Sequence, residues 1–182
     1  MKELVKKVVI LIVPILLLKS NDAPAKVDPP NYNFSLQMLE QFMPGTSLED
    51  VEKTYGKGKV ISKTDEIEAY SYEVEHLRYK FSVVVQFYQK KILDFYAPLP
   101  SYFLHNIFHQ SLINKYGMQE KYINRNNHGL YVWETKAEHK IYYMGTCTIT
   151  CFPVYLSAIS KNLPIELYSY KPTIETLSRI DF

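Results

Sequence analysis

The sequence predicts an α+β protein of two tandem units, each packing a helix on one face of an antiparallel sheet. Three observations carry this. Leu77, Tyr79, Phe81, Val83, Val85 and Phe87 alternate with Arg78, Lys80, Ser82, Val84 and Gln86, the period-2 signature of a long strand. Short apolar stripes at helical spacing precede that strand. The order then returns: Tyr55-Gly56 recurs as Tyr116-Gly117 and Tyr72-Glu73 as Trp133-Glu134, both at an offset of 61 residues.

Taken in order, Lys2, Lys6 and Lys7 precede an apolar run from Val8 to Leu18, and Ala23-Pro24-Ala25 forms a small-x-small site. This reads as a cleaved signal peptide over residues 1–25. The run is eleven residues, against the about 20 that a spanning helix needs. The expectation is an exported protein, periplasmic or secreted, with no stable membrane span after cleavage. Residues 26–33 are a Pro-rich lead-in. Phe34, Leu36, Leu39, Phe42 and Met43 fit a short helix capped by Asn33 or Ser35, and Pro44-Gly45 ends it. Thr46 with Glu49 forms a capping box for a second helix that stops at Gly56. Tyr70–Val74, Leu77–Phe87 and Ile92–Tyr96 are strands, and Pro98 and Pro100 close the first unit, residues 34–99. The second unit, residues 100–160, opens on a helix capped by Ser101, with Leu104, Ile107, Phe108, Leu112 and Ile113 on its apolar side, then strands at Tyr143–Ile149 and Val154–Ile159. Residues 161–182 form a C-terminal extension in which Leu167–Tyr170 suits a strand and Ile174–Ile180 a short helix.

The residues Phe42-Met43-Pro44-Gly45-Thr46-Ser47, Val51, Tyr55-Gly56, Tyr70, Tyr72 and Val83–Phe87 resemble one unit of the BamE (SmpA/OmlA) and β-lactamase inhibitor protein (BLIP) superfamily. Tyr stands where the family has Leu before the stop glycine, and Gln89-Lys90-Lys91 replaces its Gly hairpin. A tandem pair of such units is the BLIP arrangement. The resemblance implies helices on one sheet face, a second face free to hold a partner protein, and a role as inhibitor or as cell-envelope assembly component.

Charge excludes a nucleic-acid binder. Removing the signal's four Lys and two acids from 21 basic and 19 acidic residues leaves 17 of each, without the positive excess such a surface requires. Catalytic motifs are missing: there is no G-x-S-x-G, and Gly56-Lys57-Gly58 lacks phosphate-loop spacing. Glu66, Glu68, Glu73 and Glu75 read as the wet side of a strand. No enzyme activity and no cofactor are expected. His105 and His109 share a helix side and are weak metal candidates needing a third ligand from His128 or His139. Cys147 and Cys151 are bonded if the intervening chain turns. They are free thiols if it is straight, because four strand residues span about 13 Å and a disulfide needs Cα atoms within about 7 Å. Export favours the bond.

Tyrosine stands out, with 16 in the chain. By strand parity Tyr88, Val84, Ile92 and Tyr96 point away from the helix-covered face. Tyr72, Tyr88, Tyr96, Tyr131, Trp133 and Tyr142 are therefore the expected anchors for a protein partner, since exposed aromatic rings bury large area at low entropic cost. Protein recognition is the expected function. Envelope maintenance, and small-ligand or metal binding through His105 and His109, are the alternatives.

Overall fold

A computed structural model describes residues 34–99, 104–125, 128–134, 137–145, 154–164, 167 and 170–177. The stretches expected as signal peptide and lead-in, with Ser101, Cys147 and Cys151, lie outside the described residues. The fold is α+β: an eight-stranded antiparallel sheet with a few short helices. A 3-10 helix (η1, Leu36–Phe42) and α1 (Leu48–Tyr55) are followed by β1 (Lys59–Lys63), β2 (Ile67–His76), β3 (Tyr79–Tyr88) and β4 (Lys91–Leu99). Then come α2 (His105–Tyr116), β5 (Lys121–Arg125), β6 (His128–Trp133), β7 (Lys140–Met144), β8 (Val154–Ile159) and α3 (Thr173–Leu177). The strand order is β1-β2-β3-β4-β8-β7-β6-β5, so β4 and β8 meet at the centre and β1 and β5 form the two edges.

Local chemistry explains the starts and stops. Ser35 caps η1, its hydroxyl accepting from the Gln37 N–H. Ser47, not Thr46, caps α1: its hydroxyl accepts from the Asp50 N–H at 3.1 Å. Thr46 is held elsewhere, its carbonyl accepting from the Ile92 N–H of β4. Gly56 and Gly117 end α1 and α2 at φ 75° and 79°, a left-handed backbone that costs a side-chain-bearing residue about 1–2 kcal/mol. Pro98 lies within β4, which ends at Leu99. It continues β4 opposite Tyr155 of β8, beyond the last β3 partner at Tyr96, where no β3 carbonyl waits for its missing N–H. The expected strand over residues 167–170 falls partly outside the described residues, and the Tyr170 N–H donates to the Leu167 carbonyl.

Alternate strand residues divide between two apolar clusters on opposite faces. The inner face carries Phe81, Val83, Val85, Phe87, Trp133, Ile141, Tyr143, Leu156 and Ala158, clustered with Leu39 and Phe42 of η1, Val51 of α1, and Phe108 and Leu112 of α2. The outer face carries Tyr96, Leu130, Val132, Met144, Tyr155 and Ile159, clustered with Ile174 of α3. The outer face is thus covered at its centre by the C-terminal segment rather than left open. Parity also breaks once. Gln86 pairs with Asp94 but Phe87 pairs with Ile92, a bulge that places Leu93 as the extra residue. Ile92 therefore joins the inner core instead of sharing a face with Tyr96.

Candidate functional site

The six expected anchors do not form one surface. Tyr72 pairs across β2–β3 with Val83, which commits it to the inner face. Its ring lies 5.7 Å from that of Phe42, and a Cβ on Gly58 would sit 2.7 Å from its Cζ. Among the described residues its buried hydroxyl has no hydrogen-bond partner, and burial pushes it up to about 12. Trp133 is fully buried on the same face, and its indole N–H donates to the Gly117 carbonyl at 2.8 Å. Both rings floor a helix end and cannot meet a partner. Tyr96 is 6% exposed and packs 5.0 Å from Tyr155 on the outer face. Tyr88 and Tyr142 are half-buried on that face, the Tyr88 hydroxyl accepting from Gln89.

Tyr131 lies on the inner face. It is half-buried on β6, pairs with Tyr122 of β5, and the two rings lie 5.0 Å apart. Tyr131 in turn packs 4.1 Å from His109 and 5.9 Å from Tyr143. An aromatic ladder thus runs from the core to Tyr122, which is 50% exposed at the sheet edge. Met118 and Ile123 are also exposed there. The five β5 residues pair with β6 without a register break, and among the described residues β5 has no neighbour on its other side.

His105 and His109 belong to this ladder. Their rings stack at 5.7 Å and 9°, and Tyr143 continues the stack at 5° to His105. His105 Nδ1 lies 2.8 Å from the Tyr143 hydroxyl. Burial, reinforced by neighbouring His109, holds His105 down to about 4, and burial also lowers His109, opposed by Gln119. Among the described residues neither His109 Nε2 nor Gln119 Oε1 closes a hydrogen bond. No third His, Cys, Asp or Glu joins the pair among the described residues, and His139 instead lines a cavity of about 550 Å³ with Tyr88, Lys91 and Lys161. The stack is built as neutral aromatic packing.

The opposite edge, β1, is exposed along its whole length. Its register slips between Val60 and Ser62, leaving Ile61 as a bulge. Lys63 pairs with Glu68 at 2.8 Å, and Lys90 approaches the same carboxylate at 2.7 Å. These cations, with the Tyr70 hydroxyl, hold Glu68 down to about 2. Sequence reasoning missed Tyr122 and both edge strands, and the matching letters KVISK and KYINR after each glycine stop were the available signal. Among the described residues no helix is long and apolar enough to cross a membrane. No protein-family model, no curated protein and no solved structure matches the chain.

Proposed function

We propose that the protein is an exported, non-catalytic protein-binding module that receives an extended segment of its partner on the β5 edge. Edge addition supplies main-chain hydrogen bonds, and alternate side chains supply specificity. The observation that carries this reading is the unbroken, open β5 strand whose exposed Tyr122 is seated on the Tyr131–His109–Tyr143 ladder. Ring support fixes Tyr122 before binding, so little rotamer entropy is lost on association. On this reading Tyr131, one of the six expected anchors, supports Tyr122 at the edge.

The chain is further proposed to be a tandem pair of BamE/BLIP-type units. Supporting this are the mirrored strand order, the two Tyr-Gly helix ends, and Tyr72 and Trp133 as floors beneath them at one offset. A photo-crosslinking residue placed at position 122, compared with one at position 61, tests the function in the native host. A discrete adduct at 122 and none at 61 is expected; adducts at 61 alone, or at neither, refute it. Recovery of the adduct with membranes marks an envelope component, and recovery with a soluble enzyme marks an inhibitor.

A further inference from the structure

The outer face carries a buried carboxyl at its centre. Asp94 is fully buried on β4, between Gln86 of β3 and Ile159 of β8. Among the described residues, its carboxyl accepts hydrogen bonds from the C-terminal segment. The Thr173 hydroxyl donates at 2.5 Å and the Thr173 N–H at 3.3 Å, and the Tyr170 hydroxyl donates to the other oxygen. The Gln86 side chain adds a bond to the Lys171 carbonyl, and Ile174 fills the apolar cluster around Tyr96, Met144 and Tyr155. The remaining α3 residues, Glu175, Thr176 and Leu177, are exposed. The segment therefore touches the sheet through one polar latch and one apolar plug. A buried carboxylate is tolerated only while its donors stay in place, so latch and plug release together.

We infer that the outer sheet face is a peptide-binding site occupied in cis by the chain's own residues 170–177, latched at Asp94. The ligand class is a peptide bearing a tyrosyl hydroxyl and, three and four residues on, Thr-Ile. An incoming segment with that chemistry competes with the cis ligand, which makes the C-terminal segment a built-in inhibitor of the site.

The latch is proton-linked. The charged or titratable groups facing Asp94 are Tyr170 and Glu175 on the segment, with Tyr142 of β7 facing Tyr170; Gln86 and Ile159 on the flanking strands do not titrate. Burial outweighs the three donors and raises Asp94 from 3.8 to about 6. Opening hydrates the carboxyl and returns it to its ordinary range, so the closed state binds the proton more tightly. Closure is strongest below about pH 4 and weakens as pH rises through about 6. The two values limit the change in the opening equilibrium to about 100-fold.

Native-state hydrogen exchange on the full chain, corrected for intrinsic rates, reads this opening at Thr173 and Ile174. Their protection is expected to fall up to about 100-fold between pH 4 and 7.5, ahead of β4, and to lose that dependence in Asp94→Asn. Tyr170→Phe/Thr173→Val, which leaves the sheet's own residues untouched, is expected to open the segment at all pH values. It should also bind a synthetic peptide of residues 167–182 at least about 10-fold more tightly than the wild-type chain does. Protection of the segment equal to that of β4 overturns the inference. So does failure of the peptide to bind the double variant while its sheet remains protected.

Discussion

The two edge strands read Lys59-Val-Ile-Ser-Lys63 and Lys121-Tyr-Ile-Asn-Arg125, sharing a first Lys, a central Ile and a basic last residue, yet they present different edges. Apolar exposure does not separate them: Val60 and Ile61 are 55% and 53% exposed, Tyr122 and Ile123 are 50% and 38%. Register does. β1 is bulged at Ile61, a device that spoils pairing with another chain, whereas β5 stays in register throughout. Support differs as well, since Tyr122 extends a ladder of tilted rings anchored at Tyr143. A bulge and a single ring thus separate an edge unsuited to further pairing from one that, in the proposed function, receives a partner segment.

The largest effect expected is on the floor beneath β5. Trp133→Ala removes a fully buried indole and its bond to Gly117, which costs about 3–5 kcal/mol in denaturant unfolding. The β5 side should lose exchange protection before β1. An effect nearer 1 kcal/mol would detach Trp133 from the edge it is held to support.

Acid separates the two sides next. His105, lowered from 6.5 to about 4, stabilises the fold only while neutral. The unfolded chain binds its proton first, so about 2–3 kcal/mol is present above pH 6.5 and lost as pH falls toward 4. Glu68, held down to about 2, keeps its contribution until pH falls below about 4.5, and its exposed lysine partners limit this to about 0–1 kcal/mol. Amides of β6 and β7 should therefore lose protection near pH 5 while those of β1 and β2 keep theirs. Asp94 runs the opposite way over part of that window, so Asp94→Asn should steepen the acid loss seen in global unfolding.

Exchanging the edge residues gives a smaller stability change. Val60→Tyr and Tyr122→Val should each alter unfolding free energy by less than about 0.5 kcal/mol, as exposed positions do. Tyr122→Val is expected to weaken partner capture by about 2 kcal/mol, and Val60→Tyr to create none because the bulge persists. Capture gained by Val60→Tyr would show that the ring alone makes the edge. Tyr72→Phe has the least effect, neutral to slightly stabilising in thermal unfolding, since it removes a buried hydroxyl without a partner.

The parts that were legible have an alternation to read. Phe81 to Phe87 bury every second residue, and the pattern is plain. β1 has no buried face at all, so no period marks it, and the exposed stretch Lys121–Asn124 of β5 hides in the same way. The faces of Tyr72 and Trp133 depend on register against Val83 and Ile141, and an aromatic strand looks the same whichever way it turns. Ile92 was misplaced by a bulge that leaves no mark in the letters around it. Asp94 and Thr173 stand 79 residues apart, and nothing local to either announces the other.

Hydrogen exchange of the full chain, alone and in complex with the partner recovered by crosslinking at position 122, tests the central claim most directly. Added protection confined to the outward amides of β5, with β1 unchanged, is the predicted result. Protection gained along β1, or along neither edge, would contradict it.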